Sequence, residues 1–275
     1  MSLSILPYKG SKRMDIKYFV DYLPINITHI VEPFGGSGYL SLYLFSLNNS
    51  LKCIINDIDD ELINFFNQIK KHPDEVIDGY NKIIISTFTK LQYGEMLKIY
   101  KSKNGTDLEK AILYLFLNKC HGGQKGMYPL TKNFKPLDIN KYDIFFKWVQ
   151  NTEFLLEDYS LILDKYKNNK SYFMFLDPPY FDSFNQFYLS YNKQITNKTI
   201  PDNTKLFIDI KIFLEKAKCK AMLIINKNAI TEYIYKNFIV GEYDKLYQAT
   251  KKRTVHYILT NYKINLIKKT IDDIK

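Results

Sequence analysis

Four consecutive residues, Asp177-Pro178-Pro179-Tyr180, combine a carboxylate, a rigid turn and an aromatic ring. They follow an apolar run at 172–176, which predicts a buried strand. In an open parallel sheet the carboxyl end of a strand faces the ligand crevice. Chemistry on a planar amino group needs acceptors for its N–H bonds and a flat surface for its ring, and this tetrapeptide offers both. A surface turn is the alternative, because Pro-Pro often only ends a strand.

A glycine-rich turn at 35–38 lies between a predicted strand at 28–31 and a predicted buried helix at 39–47. Glycine lets a ligand approach the backbone closely because it has no Cβ. Asp57 follows about 20 residues later, at the end of the next predicted strand, where a carboxylate can accept ribose hydroxyls. The dinucleotide fingerprint needs a third glycine where Ser41 stands, so the pattern favours an adenosine cofactor without a pyrophosphate over NAD. A tight strand-to-helix turn is the alternative.

The remaining patterns supply the elements that position these residues. Strand and helix patterns alternate before residue 73 and after residue 152, which predicts an α/β fold with a mainly parallel sheet. The segment 73–152 is mainly helical in pattern and is predicted to be an inserted domain. The other predicted elements are a strand at 51–55, helices at about 60–70, 90–101, 107–118, 138–150, 203–218 and 229–237, strands at 153–158 and 221–225, and an antiparallel hairpin at 239–246 and 255–262.

Composition narrows the function classes. The chain has 275 residues with a formal net charge of +10 and a sequence pI near 9.1, which favours a polyanionic partner such as nucleic acid. Its three cysteines are far apart in sequence, so they predict neither a disulfide framework nor a zinc site. No secretory signal or apolar stretch of membrane-spanning length is present in the sequence, which predicts a cytoplasmic protein without a membrane partner.

Taken in order along the chain, the motifs resemble those of the Dam-type adenine-specific (amino-N6) DNA methyltransferase family. The resemblance spans nearly the whole chain, but the loop after residue 119 departs from the family pattern, so the recognition sequence is not readable. The segments that carry it are Tyr8-Lys9-Gly10-Ser11-Lys12, Pro33-Phe34-Gly35-Gly36-Ser37-Gly38, Asn56-Asp57-Ile58-Asp59, Glu157-Asp158-Tyr159, Asp177-Pro178-Pro179-Tyr180, Phe187-Tyr188 with Tyr191, and Thr260-Asn261-Tyr262.

This resemblance implies a Rossmann-like class I methyltransferase sheet with a C-terminal antiparallel hairpin. The catalytic domain would comprise residues 1–72 and 153–275, and a helical target-recognition domain would be inserted at 73–152. It also implies S-adenosyl-L-methionine as cofactor, S-adenosyl-L-homocysteine as product, and no metal. The implied cofactor-binding residues are Tyr8, Lys12, Pro33, Phe34, Gly35, Gly36, Ser37, Gly38, Asp57, Ile58, Asp158, Tyr159 and Asp177.

The resemblance identifies residues 177–180 as the catalytic signature for methylation of the exocyclic N6 amine of adenine. We expect the Asp177 carboxylate to accept one N–H bond of that amine and the Pro178 carbonyl to accept the other, with Pro179 adding rigidity to the turn. Tyr180 would stack on the target base. Because a base inside a duplex cannot reach such a crevice, the adenine would have to be flipped out.

Double-stranded DNA is the implied partner, with a cognate restriction endonuclease as a further one, and the enzyme is expected to act as a monomer or as a dimer on DNA. The residues expected to bind DNA are Asn118, Lys119, Lys125, Tyr128, Lys132, Tyr188, Tyr191, Lys251, Lys252 and Arg253. A methyltransferase for RNA or for cytosine N4 is the nearer alternative. Related enzymes often carry Asn or Ser in place of Asp177, so the Asp of this chain favours adenine. A catalytically inactive DNA-binding relative and a nicotinamide oxidoreductase are the alternatives from other classes.

Overall fold

A computed structural model describes residues 3–8, 10–85, 89–102, 105–121, 134–180, 204–246 and 253–264. Seven strands form one sheet of order β3-β2-β1-β4-β5-β7-β6. The strands are β1 (His29–Glu32), β2 (Lys52–Asn56), β3 (Thr152–Leu155), β4 (Tyr172–Leu176), β5 (Lys220–Asn226), β6 (Ile239–Leu246) and β7 (Arg253–Thr260).

The helices of the described residues are α1 (Ile16–Phe19), α2 (Tyr39–Leu47), α3 (Asp60–Lys71), α4 (Pro73–Ile85), α5 (Lys90–Lys101), α6 (Asp107–His121), α7 (Asp143–Gln150), α8 (Tyr159–Tyr166), α9 (Thr204–Lys216) and α10 (Ala229–Tyr235). Short 3₁₀ turns occupy Lys12–Met14, Val20–Tyr22 and Ile139–Tyr142. The structure divides into two compact units, the first comprising residues 1–14 and 35–157 and the second residues 15–34 and 158–274.

In the first unit, β2 pairs with β3 in parallel, with Asn56 opposite Leu155. Asp59 caps α3 by accepting hydrogen bonds from the next turn, and the apolar face of this helix is buried. Helix α6 packs on α3 and α4, while α7 packs on α2 and α3. The side chain of Trp148 is fully buried and contacts the rings of Phe66 and Phe154. The helices that follow β2 and precede β3 therefore build the core beneath these two strands.

In the second unit, β4 lies between β1 and β5, and all three strands are parallel. The β1–β4 register sets His29 opposite Tyr172, and their rings stack with centroids 4.2 Å apart. β7 pairs antiparallel with both β5 and β6, so β6 and β7 form a C-terminal hairpin. The carboxyl ends of β1, β4 and β5 consequently share one edge of the sheet, and the residues after each strand emerge there.

The structure confirms the α/β class and the mainly parallel sheet with an antiparallel hairpin. The predicted strands and helices all occur, with ends that differ by a few residues. Helices α1, α4 and α8 were not predicted from the sequence. Helix α1 is a single turn of four residues, which is too short to show a helical period. Helix α4 carries Gly79 in its interior, and an interior glycine weakens the helical signal. Helix α8 is only eight residues long. It begins at the Asp158-Tyr159 motif, which the sequence analysis interpreted as part of the cofactor site. The boundaries of a separate recognition domain at 73–152 stay a prediction.

Candidate functional site

The glycine turn folds back on the end of β2. Gly35 N donates to the carbonyl oxygen of Asn56 over 2.8 Å, and Gly38 N donates to that of Gly35 over 2.8 Å. Gly36 and Gly38 have φ values of +49° and +58°, a region that L side chains rarely adopt. A Cβ on Gly36 would lie 2.8 Å from Tyr8 Cε1, so the Tyr8 ring packs directly against the turn. Gly36 is therefore required both by the backbone conformation and by the close approach of Tyr8.

The carboxylate of Asp57 is held by backbone N–H groups. Its Oδ2 accepts from Gly36 N over 2.8 Å, and its Oδ1 accepts from Asp59 N over 3.0 Å. Burial raises the pKa of Asp57 above the ordinary value of 3.8, while hydrogen bonds from the backbone of Asp59, Gly36 and Ile58 oppose that rise. Each carboxylate oxygen can accept more than one hydrogen bond, so this group can also receive hydroxyl donors.

Helix α7 packs against the glycine turn at 35–38 through the side chain of Trp148. A Cβ on Gly38 would lie 2.7 Å from Trp148 Cζ2, so the indole of α7 lies against the first turn of α2. Trp148 Nε1 donates to Ser41 Oγ over 3.2 Å, and Ser41 Oγ donates to the Gly38 carbonyl over 2.9 Å. Residue 41, where the dinucleotide fingerprint has glycine, is thus part of a buried hydrogen-bonded support.

A reciprocal pair of hydrogen bonds fixes the segment after β3. Asn56 Nδ2 donates to the Glu157 carbonyl over 3.0 Å, and Glu157 N donates to Asn56 Oδ1 over 2.9 Å. Asn56 is buried, so its side chain acts as an internal tie between the ends of β2 and β3. The residue that follows Glu157, Asp158, is exposed and caps α8 by accepting from Ser160 N over 2.9 Å.

In the second unit, the ring of Phe34 contacts that of Tyr159 with centroids 5.4 Å apart. The Tyr159 hydroxyl donates to Asp209 Oδ2 over 2.9 Å, and Asp209 also pairs with Lys205. Burial and the hydrogen bond to Asp209 raise the pKa of Tyr159, while the Lys205 ammonium lowers the pKa of Asp209. Helix α9 thus fixes the hydroxyl of Tyr159, and the ring remains beside Phe34 after β1.

The tetrapeptide 177–180 follows β4 directly, at the carboxyl edge between β1 and β5. Asp177 and Tyr180 are half-buried and Pro178 is buried. The Tyr180 hydroxyl lies 3.4 Å from Asp177 Oδ1, a long hydrogen bond. The Tyr180 ring contacts the buried ring of His256 on β7 with centroids 5.2 Å apart. An acceptor and an aromatic ring therefore emerge together where the sheet places the ends of three parallel strands.

The other predicted site residues occupy varied settings. Lys12 is buried and lies in the first 3₁₀ turn, whereas Ile58 is 71% exposed. Pro33 and Ser37 are buried, and Pro179 is half-buried. These assignments to a cofactor or to catalysis stay predictions.

The residues predicted to bind DNA are only partly described. Asn118 is buried within α6, and its Nδ2 donates to the Tyr114 carbonyl over 2.8 Å. Lys119 is half-buried with its ammonium 5.9 Å from the centroid of the Tyr80 ring, and burial lowers the pKa of Lys119 to about 8. Arg253 is exposed at the start of β7. The others lie outside the described residues: Lys125, Tyr128, Lys132, Tyr188, Tyr191, Lys251 and Lys252.

No group of three or more His, Cys, Asp or Glu side chains among the residues that the structure describes could hold a metal ion. None of the helices in the described part of the chain is long and apolar enough to cross a bilayer.

A family model for D12 class N6 adenine-specific DNA methyltransferases matches residues 8–255. The chain belongs to this family. The match includes the Tyr8 segment, the glycine turn, Asp57 and the tetrapeptide at 177–180, so both compact units are part of it.

The chain is also similar, at low identity, to several type II methyltransferases. The chain is 23% identical over 278 residues to the type II methyltransferase M.CviBI of Paramecium bursaria Chlorella virus NC1A, covering 94% of this chain and 99% of the relative. It is 28% identical over 199 residues to the type II methyltransferase M.MjaIII of Methanocaldococcus jannaschii, covering 64% of this chain and 68% of the relative. It is 22% identical over 290 residues to the type II methyltransferase M1.LlaDCHI of Lactococcus lactis subsp. cremoris, covering 93% of this chain and 94% of the relative. The sequence resemblance to adenine-specific DNA methyltransferases is confirmed.

Four residues that contact predicted site residues within their own units were missed from the sequence: Ser41 and Trp148 in the first unit, and Asp209 and His256 in the second. Trp148 offered one signal, because it is the single tryptophan of the chain and lies on a helix with one apolar face. Ser41 was noted only as a missing glycine. Asp209 and His256 lie in an amphipathic helix and a strand whose patterns indicate structure alone.

Proposed function

We propose that this chain transfers a methyl group from S-adenosyl-L-methionine to the N6 amine of an adenine flipped out of duplex DNA. The observation that carries the proposal is the position of Asp177-Pro178-Pro179-Tyr180 at the carboxyl end of β4, flanked by parallel strands on both sides. In open α/β sheets that edge is where ligands bind. Membership in the D12 class makes an adenine amine in DNA the substrate to test first.

The residues of the first unit suit an adenosine-type cofactor. The turn at 35–38 leaves no room for a Cβ beside Tyr8, and Asp57 is a fixed acceptor for hydroxyl donors such as those of a ribose. We assign Tyr8, Gly36 and Asp57 to cofactor binding on this basis. When bound, S-adenosyl-L-methionine supplies an electrophilic methyl group on a sulfonium centre. The protein must therefore activate and orient the acceptor amine.

Asp177 and Pro178 would perform that activation. The amine lone pair of adenine is delocalised into the ring, which makes the nitrogen a poor nucleophile. A carboxylate and a carbonyl that accept its two N–H bonds favour a tetrahedral nitrogen and stabilise positive charge as it develops. Pro178 is buried, and each proline ring locks its own φ, so this carbonyl would be rigidly held.

Tyr180 would stack on the extruded base. Extraction of a base from a duplex costs a few kcal/mol. Stacking on an aromatic side chain contributes about 1–3 kcal/mol per base and offsets part of that cost. The half-buried Tyr180 ring has the partial exposure that this role needs.

The decisive experiment measures tritium transfer from labelled S-adenosyl-L-methionine to unmethylated mixed-sequence duplex DNA, followed by digestion to nucleosides. We expect label in N6-methyladenine, and loss of transfer in Asp177→Ala with cofactor affinity nearly unchanged. Asp164→Ala removes a carboxylate that is exposed on α8 and is the matched control, which should transfer at the wild-type rate. Label in N4-methylcytosine, or in RNA alone, would replace the proposed substrate by one of the alternatives.

DNA binding has its own test. A protein that neutralises several phosphates loses affinity steeply as salt rises, because counterions are released on binding. The affinity of this chain for duplex DNA should therefore fall by orders of magnitude between low and moderate salt. A flat salt titration would remove DNA as the partner. A cognate restriction endonuclease, suggested by the type II relatives, would recognise the same sequence as the methyltransferase and cut it in unmethylated DNA.

A further inference from the structure

A buried histidine lies behind the ring that is proposed to stack on the base. His256 is fully buried in β7, where the strand register sets it opposite Asn226 of β5 and opposite Tyr243 of β6. Residues directly opposite in an antiparallel pair project from the same face of the sheet. The sheet thus fixes the position of this imidazole through pairing on both sides of its strand.

His256 belongs to a row of four rings. Its centroid lies 5.2 Å from that of Tyr180 at an interplanar angle of 60°, and 5.3 Å from that of Tyr243 at 18°. The ring of Tyr243 stacks in turn on that of Tyr18, with centroids 4.9 Å apart. We call Tyr18, Tyr243, His256 and Tyr180 the ring row. It joins α1 through the hairpin to the tetrapeptide after β4.

The far end of the ring row is anchored by polar contacts. Lys245 on β6 forms an ion pair with Asp15, and both side chains are largely buried. A Cβ on Gly241 would lie 2.7 Å from Tyr22 Oη, so the turn after α1 packs closely against β6. Because β6 is tied to the segment around α1 at two points, the rings of Tyr243 and His256 cannot shift easily.

We propose that His256 is a positioning residue for methyl transfer, whose buried ring fixes the orientation of the Tyr180 ring for stacking on the adenine. The inference rests on the proposed function, because it assumes that Tyr180 receives the base. His256 contacts one side of Tyr180, while Tyr180 itself is only half-buried and keeps surface for a ligand. Restricting a side chain before binding lowers the entropy lost on binding and raises the fraction of productive complexes.

The test compares His256→Leu, which fills the volume without a flat ring, with His256→Phe, which restores one. An aromatic pair of this kind is worth a factor of about 10 in an equilibrium constant at most. At saturating cofactor, the single-turnover transfer rate of His256→Leu on unmethylated duplex DNA should fall about 10-fold, and His256→Phe should recover most of it. The affinity for S-adenosyl-L-methionine, read from the emission of the single tryptophan, Trp148, should stay within about 2-fold in both variants.

Tyr257→Leu is the matched control. Tyr257 is the next residue of β7, is also buried, and projects from the opposite face of the sheet, where its hydroxyl lies 3.1 Å from Glu232 Oε2. This variant should lose stability without a change in the transfer rate per folded molecule. If His256→Leu does not fold, Tyr243→Leu probes the next ring of the row, and a smaller loss of rate is expected there.

Equal transfer rates for His256→Leu and His256→Phe would overturn the inference, as would a rate loss in Tyr257→Leu of the same size. Unchanged rates in both His256→Leu and Tyr243→Leu would also overturn it. In each case an active wild type that depends on Asp177 leaves the proposed function standing. A wild-type chain that methylates no DNA would instead reject the proposed function itself.

Discussion

Trp148 and Ser41 lie 107 residues apart in sequence, yet the indole Nε1 of one donates a hydrogen bond to the hydroxyl of the other. The same hydroxyl donates to the Gly38 carbonyl in the turn that binds Tyr8 and Asp57. A glycine at position 41, as in the dinucleotide fingerprint, would remove both hydrogen bonds. Helix α7, which precedes β3, therefore supports the glycine turn through the hydrogen bond between Trp148 and Ser41. The same Ser41 takes the place of the third glycine of the dinucleotide fingerprint.

Ser41→Ala should destabilise the protein and loosen the turn. It leaves the buried indole N–H without its acceptor and the Gly38 carbonyl without this donor, which costs about 1–3 kcal/mol for a buried unsatisfied group. Urea unfolding measures the stability, and the emission of Trp148 reports on the indole environment. Ser46→Ala is the control on the same helix, because Ser46 Oγ also donates to a carbonyl three residues back but is only half-buried. Equal losses in the two variants would contradict the special role of Ser41.

Cofactor affinity should depend on pH through Asp57. Burial raises the pKa of Asp57 above 3.8, and hydroxyl donors from a ribose would favour the ionised carboxylate. Affinity should therefore be complete above the raised pKa and decrease as pH falls through it. The emission of Trp148 during titration with S-adenosyl-L-methionine measures this.

Asp57→Asn should bind about 10- to 100-fold more weakly, because a charged acceptor is replaced by a neutral one, and should lose the pH dependence. The stability of the fold should depend on pH in the opposite direction to cofactor affinity. The contribution of this group to stability is present below pH 3.8 and is lost as pH rises through its raised folded-state pKa. Unchanged affinity in Asp57→Asn would contradict the assignment of the carboxylate to the cofactor.

Local sequence was sufficient to predict the tetrapeptide at the end of β4, because an apolar run followed by Pro-Pro defines both a strand and its end. The glycine turn was predictable for the same reason, since positive φ values at Gly36 and Gly38 leave a signature in residue type. Parallel order followed from the alternation of strands and helices.

Contacts between distant segments could not be predicted. The hydrogen-bonded pair Asn56–Glu157 joins residues that are 101 positions apart. From the sequence alone, Asn56 reads as the end of a strand and Glu157 as an acidic surface residue. His256 lies in β7, which mixes polar and apolar residues, and its residue type gives no indication that its ring faces Tyr180. Such pairings depend on strand order and register, which a single chain reveals only once it is folded.

Two changes at residue 180 should separate its hydroxyl from its ring. The hydroxyl lies 3.4 Å from Asp177 Oδ1, which is long for a hydrogen bond and therefore weak. Tyr180→Phe keeps the ring and should lower the transfer rate by no more than about 5-fold, since a weak bond contributes under about 1 kcal/mol. Tyr180→Ala loses base stacking, about 1–3 kcal/mol, and should lower the rate about 10- to 100-fold. Tritium transfer measures both, and a larger loss in Tyr180→Phe than in Tyr180→Ala would exclude stacking as the main role.

Lys119 is among the residues expected to bind DNA, and a phosphate contact by its ammonium should make DNA affinity sensitive to mildly alkaline pH. Burial lowers its pKa to about 8, so its positive charge is present below that pH and lost above it. Binding to mixed-sequence duplex DNA, followed by fluorescence anisotropy, should weaken between about pH 7 and 9, and the salt slope should become shallower by about 0.9.

Lys119→Arg stays charged and should bind equally well across this range. Lys135→Arg, at an exposed position, is the control and should keep the wild-type pH dependence. The free energy of unfolding should change in the opposite direction to DNA affinity and rise between about pH 8 and 10.5. In that range Lys119 keeps its proton in the unfolded chain but has lost it in the folded one. DNA affinity that is equally pH-dependent in wild type and Lys119→Arg would place Lys119 away from the phosphates.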